Sequence, residues 1–250
     1  MTEIINPEDG FTCKLNAMSV EVHILSDIHV GAKKFHKKLL LSAVERIKRK
    51  RNARVILNGD LFDNTIPGGP YSARDQYEQR MEQQVIQARD LLFPIRKKIL
   101  FARSGNHDSR TQKRAEFNSM IIFCDMMGIP YYDGPGFTRI NVTGKTMVLA
   151  GGHGKSGSQN GNLELERYRR IYDADVYYLG HNHQLFANPV PGLYLGSDGK
   201  EHLKEQWLIR AGSFLRYADY AREGAYQPQR CGWPTIHLGP EGITCTVRST

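Results

Sequence analysis

Short runs of apolar and β-branched residues recur along the chain, and five of them end in polar turns that carry Asp, Asn or His. Runs of this length, bounded by turn residues, are typical of buried strands. The five predicted strands cover residues 20–25, 54–57, 98–102, 146–150 and 176–179. The pattern therefore predicts strands whose carboxyl ends each deliver polar, chemically useful side chains.

Three segments between or after these strands repeat apolar residues at three- and four-residue steps, which predicts amphipathic helices. They cover residues 35–50, 72–92 and 117–127. Strands that alternate with helices are typical of an α/β fold. The later predicted strands, 207–210, 235–238 and 243–247, follow one another without long helices. We therefore expect a second, partly antiparallel sheet packed on the first, in one domain of residues 1–250 with an N-terminal extension at 1–18.

Composition narrows the class of protein. The chain has 250 residues, of which 40% are hydrophobic and 24% charged, as in soluble globular proteins. This composition excludes a mainly disordered, coiled-coil or collagen-like chain. Residues 1–18 lack the apolar core of a signal peptide, and no apolar run approaches the roughly 20 residues of a membrane span. The four cysteines form no C-x-x-C pair, so we expect buried reduced thiols, no membrane partner and a cytoplasmic location.

The positive charge is concentrated in one part of the chain. The formal net charge is +8, and residues 31–54 contain ten basic residues and one acid. Such an excess indicates a polyanionic partner, although a solvated helix face has the same composition. We expect this basic helix to add phosphate contacts beside the site described next.

The polar turns carry a set of metal-ligand types. In open α/β sheets, ligands bind beyond the carboxyl ends of the strands. The candidate ligands are two aspartates, one asparagine and four histidines: Asp27, His29, Asp60, Asn106, His153, His181 and His183. Seven ligands exceed one tetrahedral shell, which favours two ions, and a carboxylate such as Asp60 can bridge them. Two ions about 3.5 to 4 Å apart activate water and clamp an in-line displacement, which suits phosphoryl transfer.

In this order, Asp27-x-His29, Gly59-Asp60, Gly105-Asn106-His107-Asp108, Gly152-His153 and Gly180-His181-x-His183 resemble the signature of the calcineurin-like metallophosphoesterases. The resemblance spans about residues 19–213 and implies a four-layer αββα sandwich with two mixed β-sheets flanked by helices. It also implies roles for individual residues. The first metal is held by Asp27, His29, Asp60 and His183, and the second by Asp60, Asn106, His153 and His181. His107 protonates the leaving-group oxygen or stabilises the transition-state charge, and Asp108 orients that imidazole.

Residues beside the motifs carry weaker expectations. Asp63 caps a helix or, as we favour, braces a ligand. His36 and Arg110 either contact substrate phosphate or have ordinary surface roles. His23, His202 and His237 lie outside the motifs, and we expect them to be structural or solvent-exposed. The aromatic residues Phe214, Tyr217 and Tyr220 either stack on a base or, as we favour, close the fold. The sequence leaves the role of residues 188–205 open; their Gly and Pro content is compatible with a hairpin over the site.

The resemblance extends to DNA-repair exonucleases of the double-strand-break type, although no long C-terminal capping domain is evident. It implies a phosphodiesterase that attacks nucleic acid with a metal-bridging hydroxide. Mixed oxygen and nitrogen ligands suit manganese, iron, zinc or nickel, and we favour two Mn²⁺ ions. Two alternatives remain open: a small-molecule phosphomonoesterase or nucleotide phosphatase with the same centre, and a non-catalytic nucleic-acid-binding accessory subunit.

Overall fold

The computed structural model of the protein describes residues 3–5, 10–66, 76–78, 80–156, 160–217 and 227–249. The strands are β1 (Glu3–Ile5), β2 (Phe11–Lys14), β3 (Val20–Leu25), β4 (Ala53–Asn58), β5 (Ile99–Arg103), β6 (Gly136–Val142), β7 (Lys145–Gly152), β8 (Val176–Leu179), β9 (Leu185–Leu195), β10 (Glu201–Ala211), β11 (Gly232–Gly239) and β12 (Gly242–Ser249). The α-helices are α1 (Lys37–Arg49), α2 (Met81–Leu92), α3 (Ser109–Ala115), α4 (Ser119–Met127) and α5 (Gly161–Ile171). A 3₁₀-helix, Phe93–Lys98, follows α2.

The strands form two mixed sheets. The five-stranded sheet has the order β12-β11-β3-β4-β5, in which β3, β4 and β5 are parallel and β11 and β12 are antiparallel. The seven-stranded sheet has the order β1-β2-β6-β7-β8-β10-β9. One apolar core lies between the sheets, with Val22 and Ile24 from one side and Leu149 and Ile209 from the other. All six residues of β3 are buried, including the polar Glu21 and His23, because the strand is covered on both faces.

Helices cover the outer faces of both sheets. On the five-stranded sheet, α1 contributes five buried residues, Leu39, Leu40, Ala43, Val44 and Ile47, at the spacing that the sequence predicts. These residues share a core with α2 and α4. On the seven-stranded sheet, Leu165 of α5 packs with Tyr177, Leu179 and Leu208. The predicted four-layer αββα sandwich is confirmed, and none of the described helices is long and apolar enough to cross a bilayer.

The predicted division of late strands between the sheets is wrong. β11 pairs with β3, so that Thr235 lies opposite His23, and β12 follows on the outer edge of the same five-stranded sheet. Of the three late strands, β10 alone joins the other sheet, beside β8. The apolar pattern of a strand shows which of its faces is buried, but it does not show which neighbouring strand its backbone pairs with.

Several predicted segments differ in extent. Phe11 and Cys13 belong to β2, which pairs with β6, so this part of the expected N-terminal extension lies inside the sheet. The helix predicted at 72–92 begins at Met81; residues 72–75 and 79 lie outside the described residues. Residues 188–205 do belong to a β9–β10 hairpin, but its site end is the Leu185–Ala211 pair. Strand β9 continues for ten residues from Leu185 to Leu195, so the tip of the hairpin lies roughly 30 Å from this end. The hairpin therefore does not cover the site.

Candidate metal centre

All seven predicted metal ligands lie at one edge of the two sheets, in the loops that follow β3, β4, β5, β7 and β8. The loops of the two sheets are joined across the gap between them. The backbone N–H of His181 donates to Oδ2 of Asp27 at 3.1 Å, and Nδ2 of Asn58 donates to the carbonyl oxygen of Gly152 at 3.0 Å. The convergence expected from five separate strand ends is therefore present in the structure.

The first group of ligand atoms comes from Asp27, His29, Asp60 and His183. Nε2 of His183 lies 3.3 Å from Oδ1 of Asp27, and Nε2 of His29 lies 3.9 Å from Oδ2 of Asp60. Asp27, His29 and Asp60 are buried. The structure therefore brings together the four side chains that the family resemblance implies for a first metal, and Asp27, His29 and His183 form a cluster that could hold an ion.

The second group shares Asp60 with the first. Nε2 of His153 lies 3.1 Å from Oδ2 of Asp60 and 3.2 Å from Oδ1 of Asn106. The same Asn106 oxygen lies 2.8 Å from Nδ1 of His181. Because Asn106 is exposed and His181 is partly exposed, the centre is open to solvent on this side, where a substrate has access.

Two ligand atoms of the first group are buried without a hydrogen-bond partner: Oδ1 of Asp27 and Nε2 of His29. Leaving a buried polar atom unsatisfied costs about 1–3 kcal/mol. A cation between these atoms removes that cost, because a carboxylate and a neutral imidazole nitrogen are both metal ligands. The residues thus fit a divalent metal, and the His and Asp clusters here are able to hold one.

The backbone at this edge is unusual. Seven described non-glycine residues have a positive φ, and five of them are predicted ligands: Asp27, His29, Asp60, His181 and His183. The left-handed conformation costs roughly 1–2 kcal/mol for such residues. Strain of this kind persists where the surrounding structure enforces it, which occurs most often at functional sites.

Two motif glycines are required because there is no room for a side chain. A Cβ atom added at Gly105 would overlap Oδ1 of Asp60, and one added at Gly180 would lie 2.6 Å from Oδ2 of Asp27. Both positions therefore let a backbone segment approach a ligand carboxylate closely.

Asp63 contacts a predicted ligand, as the bracing role that we favoured requires. Its Oδ1 lies 3.2 Å from Nδ1 of His29, and its Oδ2 accepts a hydrogen bond from Nε2 of Gln76 at 2.9 Å. No helix begins at Asp63, since residues 63–66 are not helical. A carboxylate on the far nitrogen of a ligating histidine fixes the tautomer and directs the other nitrogen at the metal. His153 is held in a similar way, with Nδ1 2.9 Å from the carbonyl oxygen of Asn58.

His107 lies beside the first group. Nδ1 of its ring is 2.7 Å from the carbonyl oxygen of Asp63, and Nε2 is 2.9 Å from the guanidinium of Arg110. Burial is the main reason why the pKa of His107 falls to about 3, and the charges of His29 and Arg110 lower it further. Arg110 is therefore brought to the site through His107, with its guanidinium also on the Asp63 carbonyl oxygen at 3.1 Å.

The expected role of Asp108 is corrected. Its buried carboxylate accepts hydrogen bonds from the backbone N–H groups of Gly105, Leu61 and Phe62, at 2.8, 3.3 and 3.0 Å. It therefore joins two ligand loops, and the oxygen next to Nδ1 of His107 is the Asp63 carbonyl. Burial, together with the charge of Asp60, raises the pKa of Asp108 to about 6.

The electrostatics of the centre favour positive charge. Burial alone would raise the pKa of Asp27, but the imidazoles of His153 and His183 lower it to about 2. Burial lowers the pKa of His153, but Asp60 and Asp27 outweigh this effect and raise it to about 10. Without metal, a proton on His153 balances the negative charge of the Asp60 and Asp27 carboxylates. A metal that binds His153 must displace this proton.

A buried ion pair that the sequence reasoning missed holds the His181 loop. Arg210 of β10 donates to the carbonyl oxygen of Gly180 at 3.0 Å and to Glu164 of α5 at 3.1 Å. Glu164 also accepts from the backbone N–H of Lys155 at 2.9 Å, just after the His153 turn.

Asn64, also missed, donates from Nδ2 to the carbonyl oxygen of His107 at 2.8 Å. Nothing in the local sequence marks these residues, because their partners are distant in the chain.

The other candidate residues have structural roles. The imidazole of His36 caps α1, accepting from the N–H of Leu39 at 3.3 Å. His23 is fully buried, and Phe214 stacks on Trp233 with ring centroids 6.0 Å apart. Tyr217 is partly buried, and Tyr220 lies outside the described residues. His202 and His237 are partly exposed, and the four cysteines are free.

Comparison with known proteins adds a family and a set of similar folds. The sequence model described as Calcineurin-like phosphoesterase matches residues 20–185. No curated protein sequence matches the chain significantly. A single mutant of Vps29 from Entamoeba histolytica is 14% identical, with a TM-score of 0.48, and the match covers 92% of this chain and 99% of that one. GAP50, described as the anchor in the inner membrane complex of Plasmodium, is 15% identical, with a TM-score of 0.48 and coverage of 93% and 85%. A metallophosphoesterase from Sphaerobacter thermophilus is 15% identical, with a TM-score of 0.39 and coverage of 92% and 89%.

Proposed function

Because the chain belongs to the calcineurin-like phosphoesterase family, we propose that it is a two-metal phosphodiesterase that hydrolyses nucleic acid. The observation that carries this proposal is the pair of ligand groups that share Asp60. Each group joins carboxylate or carboxamide oxygens to imidazole nitrogens, and the first contains two buried atoms without hydrogen-bond partners. Such a donor set has few structural uses and suits two adjacent divalent ions.

The assignment of ligands follows the two groups. Asp27, His29, Asp60 and His183 hold the first ion, and Asp60, Asn106, His153 and His181 hold the second. Two divalent ions would supply an activated water and neutralise the charge on a phosphoryl group in an in-line displacement. Mn²⁺ is the ion we favour, because it accepts mixed oxygen and nitrogen ligands. A reducing cytoplasm suits the free thiols.

His107 and Arg110 act together on the substrate in this proposal. The Asp63 carbonyl oxygen fixes one nitrogen of the His107 ring, and Arg110 faces the other. A phosphate oxygen that enters beside them meets the positive charge of this guanidinium. Because its lowered pKa keeps the His107 ring neutral and its Nε2 accepts from Arg110, His107 would stabilise the charge of the transition state through that guanidinium, and would not protonate the leaving oxygen in this arrangement. Asp108 acts indirectly, because its carboxylate holds the loops that carry Asp60 and Asn106.

A polyanionic substrate is supported by the cations near the centre. Exposed basic residues follow the ligand loops at Lys33, Lys34, Lys37, Lys38, Lys113, Arg114 and Arg216. The backbone N–H of Arg216 donates to the carbonyl oxygen of Lys34 at 3.0 Å, which joins two of these segments. Successive phosphates of a nucleic acid can contact such a rim, whereas a monoester has one phosphate to bind.

Hydrolysis of two chromogenic substrates tests the diester preference. We expect Mn²⁺-dependent release of p-nitrophenol, with a higher kcat/KM for bis-p-nitrophenyl phosphate than for p-nitrophenyl phosphate. The reverse preference would establish the phosphomonoesterase alternative.

Paired variants link this activity to the centre. Asp60→Asn should lose activity toward both substrates, and the matched variant Asp125→Asn, at an exposed position of α4, should retain it. If neither substrate is hydrolysed with any of Mn²⁺, Fe²⁺, Zn²⁺ or Ni²⁺, the result counts against the proposed activity and the accessory-subunit alternative gains support.

A further inference from the structure

Part of the basic segment lies far from the metal centre. His36, at the start of α1, donates its backbone N–H to Phe214, whose own N–H donates to the Asp27 carbonyl oxygen. The helix then runs away from the site for 13 residues, about 20 Å at 1.5 Å per residue. Arg46 and Arg49 therefore do not extend the rim of the metal centre, as the sequence led us to expect. They need a separate explanation.

A cavity of about 550 Å³ lies beside this distal half of α1, between the helix and the edge strand β12. Leu39, Arg46 and Arg49 of α1 line it on one side, together with Lys50, which follows the helix, and Trp233 and Arg248 line it on the other. Trp233 and Arg248 are directly paired across β11 and β12, so their side chains leave the same face of the sheet. The volume lies within the range of small-molecule sites, about 300–1,000 Å³.

The positive charge in this cavity is largely unneutralised. Among the residues that the structure describes, the guanidinium groups of Arg46, Arg49 and Arg248 have no acidic partner within 4.0 Å. Nε of Arg46 and Nε of Arg248 are buried without a hydrogen-bond partner. Lys50 alone of the four lining cations is paired, with Glu21 at 3.3 Å.

The nearby acids neutralise this charge only in part. Glu45, which also lines the cavity, lies 3.9 Å from Lys48. Glu21 is shared between Lys50, His23 and His237. Burial is the main reason why the pKa of Arg248 is lowered, the charge of Arg46 lowers it further, and the charge of Glu21 partly offsets both.

We propose that this cavity is a second, non-catalytic site that binds the phosphate groups of a diphosphate-bearing ligand. Guanidinium groups offer paired N–H donors that match phosphate oxygens, and Arg46, Arg49 and Arg248 converge from two different elements. Leu39 and Trp233 give the cavity an apolar floor, which accommodates the organic part of such a ligand. The site does not depend on the metal centre, so its occupancy is tested without measuring hydrolysis.

Trp233 provides a local reporter of binding. The chain has two tryptophans, so Trp207→Phe leaves Trp233 as the single tryptophan in the protein. We would titrate this full-length variant with inorganic pyrophosphate, ADP and a 5′-phosphorylated oligonucleotide, and follow its fluorescence with excitation at long wavelength. We expect a saturable change with pyrophosphate and tighter binding of ADP, because ADP adds contacts with the apolar floor.

Two further variants in this background identify the cations responsible. Arg46→Met combined with Arg248→Met should weaken pyrophosphate binding at least tenfold. Arg51→Met removes one charge from an exposed turn residue that does not line the cavity, and it should bind within twofold of the parent. Equal thermal unfolding midpoints would show that all variants are folded.

Each outcome decides the proposal. Saturable binding of pyrophosphate or ADP that requires Arg46 and Arg248 supports it. Tighter binding of the oligonucleotide than of pyrophosphate and ADP would overturn it, because the oligonucleotide carries no diphosphate. The absence of any saturable change, or equal binding by the double variant and the parent, would overturn it. An equal loss on Arg51→Met would also overturn it, because binding would then follow overall charge.

Discussion

The carboxylate Oδ1 of Asp63 lies 3.2 Å from Nδ1 of His29, and Nε2 of the same ring is buried without a hydrogen-bond partner. One nitrogen is thus occupied by a brace while the other is left for a cation. The contact gives Asp63 a defined role outside the ligand set. A positioning residue of this kind acts on the affinity for metal and not directly on the substrate.

Removal of the Asp63 carboxylate should therefore weaken metal binding. We expect Asp63→Ala to lower the affinity for the first Mn²⁺ ion about 10- to 100-fold, because the imidazole of His29 loses its fixed tautomer and orientation. Asp63→Asn keeps an accepting oxygen and should lose less. Isothermal titration calorimetry with Mn²⁺ measures both, and equal affinities for Asp63→Ala and the parent protein would show that the contact has no such role.

A methyl group at Gly105 should displace Asp60. The added Cβ atom would overlap Oδ1 of Asp60, and Asp60 is the ligand that both ions share in our account. We expect Gly105→Ala to lose binding of both Mn²⁺ ions, as measured by equilibrium dialysis. Gly239→Ala is the matched control, since its nearest new contact is an ordinary 3.8 Å to Cβ of Ser19; a retained second ion in Gly105→Ala would contradict the shared ligand.

Asp108 should affect stability strongly. Its carboxylate accepts three backbone N–H groups of the ligand loops, and each buried donor left unsatisfied costs about 1–3 kcal/mol. We expect Asp108→Ala to lower the free energy of unfolding by about 3 kcal/mol or more, measured by urea denaturation. The exposed control Asp125→Ala should change it little. An unchanged midpoint for Asp108→Ala would mean that the loops do not depend on these bonds.

The buried histidine His23 predicts a loss of stability in acid. Its Nδ1 accepts hydrogen bonds from Nε1 of Trp233 at 3.2 Å and Oγ1 of Thr235 at 3.1 Å. Burial lowers its pKa from 6.5 to about 4. Between these pH values the unfolded chain binds a proton that the folded protein does not, so stability falls as the pH falls from about 6.5 to about 4.

The expected size of this effect is about 3 kcal/mol, at 1.36 kcal/mol for each unit of pKa. His23→Gln cannot take up the proton and should show a correspondingly flatter dependence of unfolding free energy on pH. His202→Gln, on the β9–β10 hairpin, should keep the slope of the parent protein. The same acid slope in His23→Gln would show that His23 does not titrate in this range.

Much of the centre could be predicted because its signals are local. Apolar runs followed at once by Asp27, Asp60 or Asn106 mark both a strand and its polar end, and parallel strands bring such ends to one edge. The same reasoning places α1, whose apolar spacing and boundaries agree with the structure to within two residues. Local patterns of this kind do not depend on what the segment later packs against.

Other features could not be predicted because they depend on distant partners. The sequence places Asp108 next to His107, yet its carboxylate points at the backbone of Leu61 and Phe62. Likewise, the N–H of Tyr77 bonds to the Gly31 carbonyl oxygen instead of starting a helix turn. Strand β6 alternates between buried and more exposed residues, but its buried face contains Gly136 and Thr138 and its other face contains Phe137, so the apolar residues do not mark it as a strand.

Cleavage of end-labelled DNA tests the central claim most directly. With Mn²⁺ present, we predict that the protein shortens labelled single- or double-stranded DNA, that chelation by EDTA abolishes the cleavage, and that Asp60→Asn lowers its rate at least 1,000-fold, equivalent to about 4 kcal/mol. Asp125→Asn should cleave at the rate of the parent protein. If metal-loaded protein leaves both forms of DNA intact, or if Asp60→Asn cleaves them as fast as the parent, the two-metal nucleic-acid phosphodiesterase is contradicted.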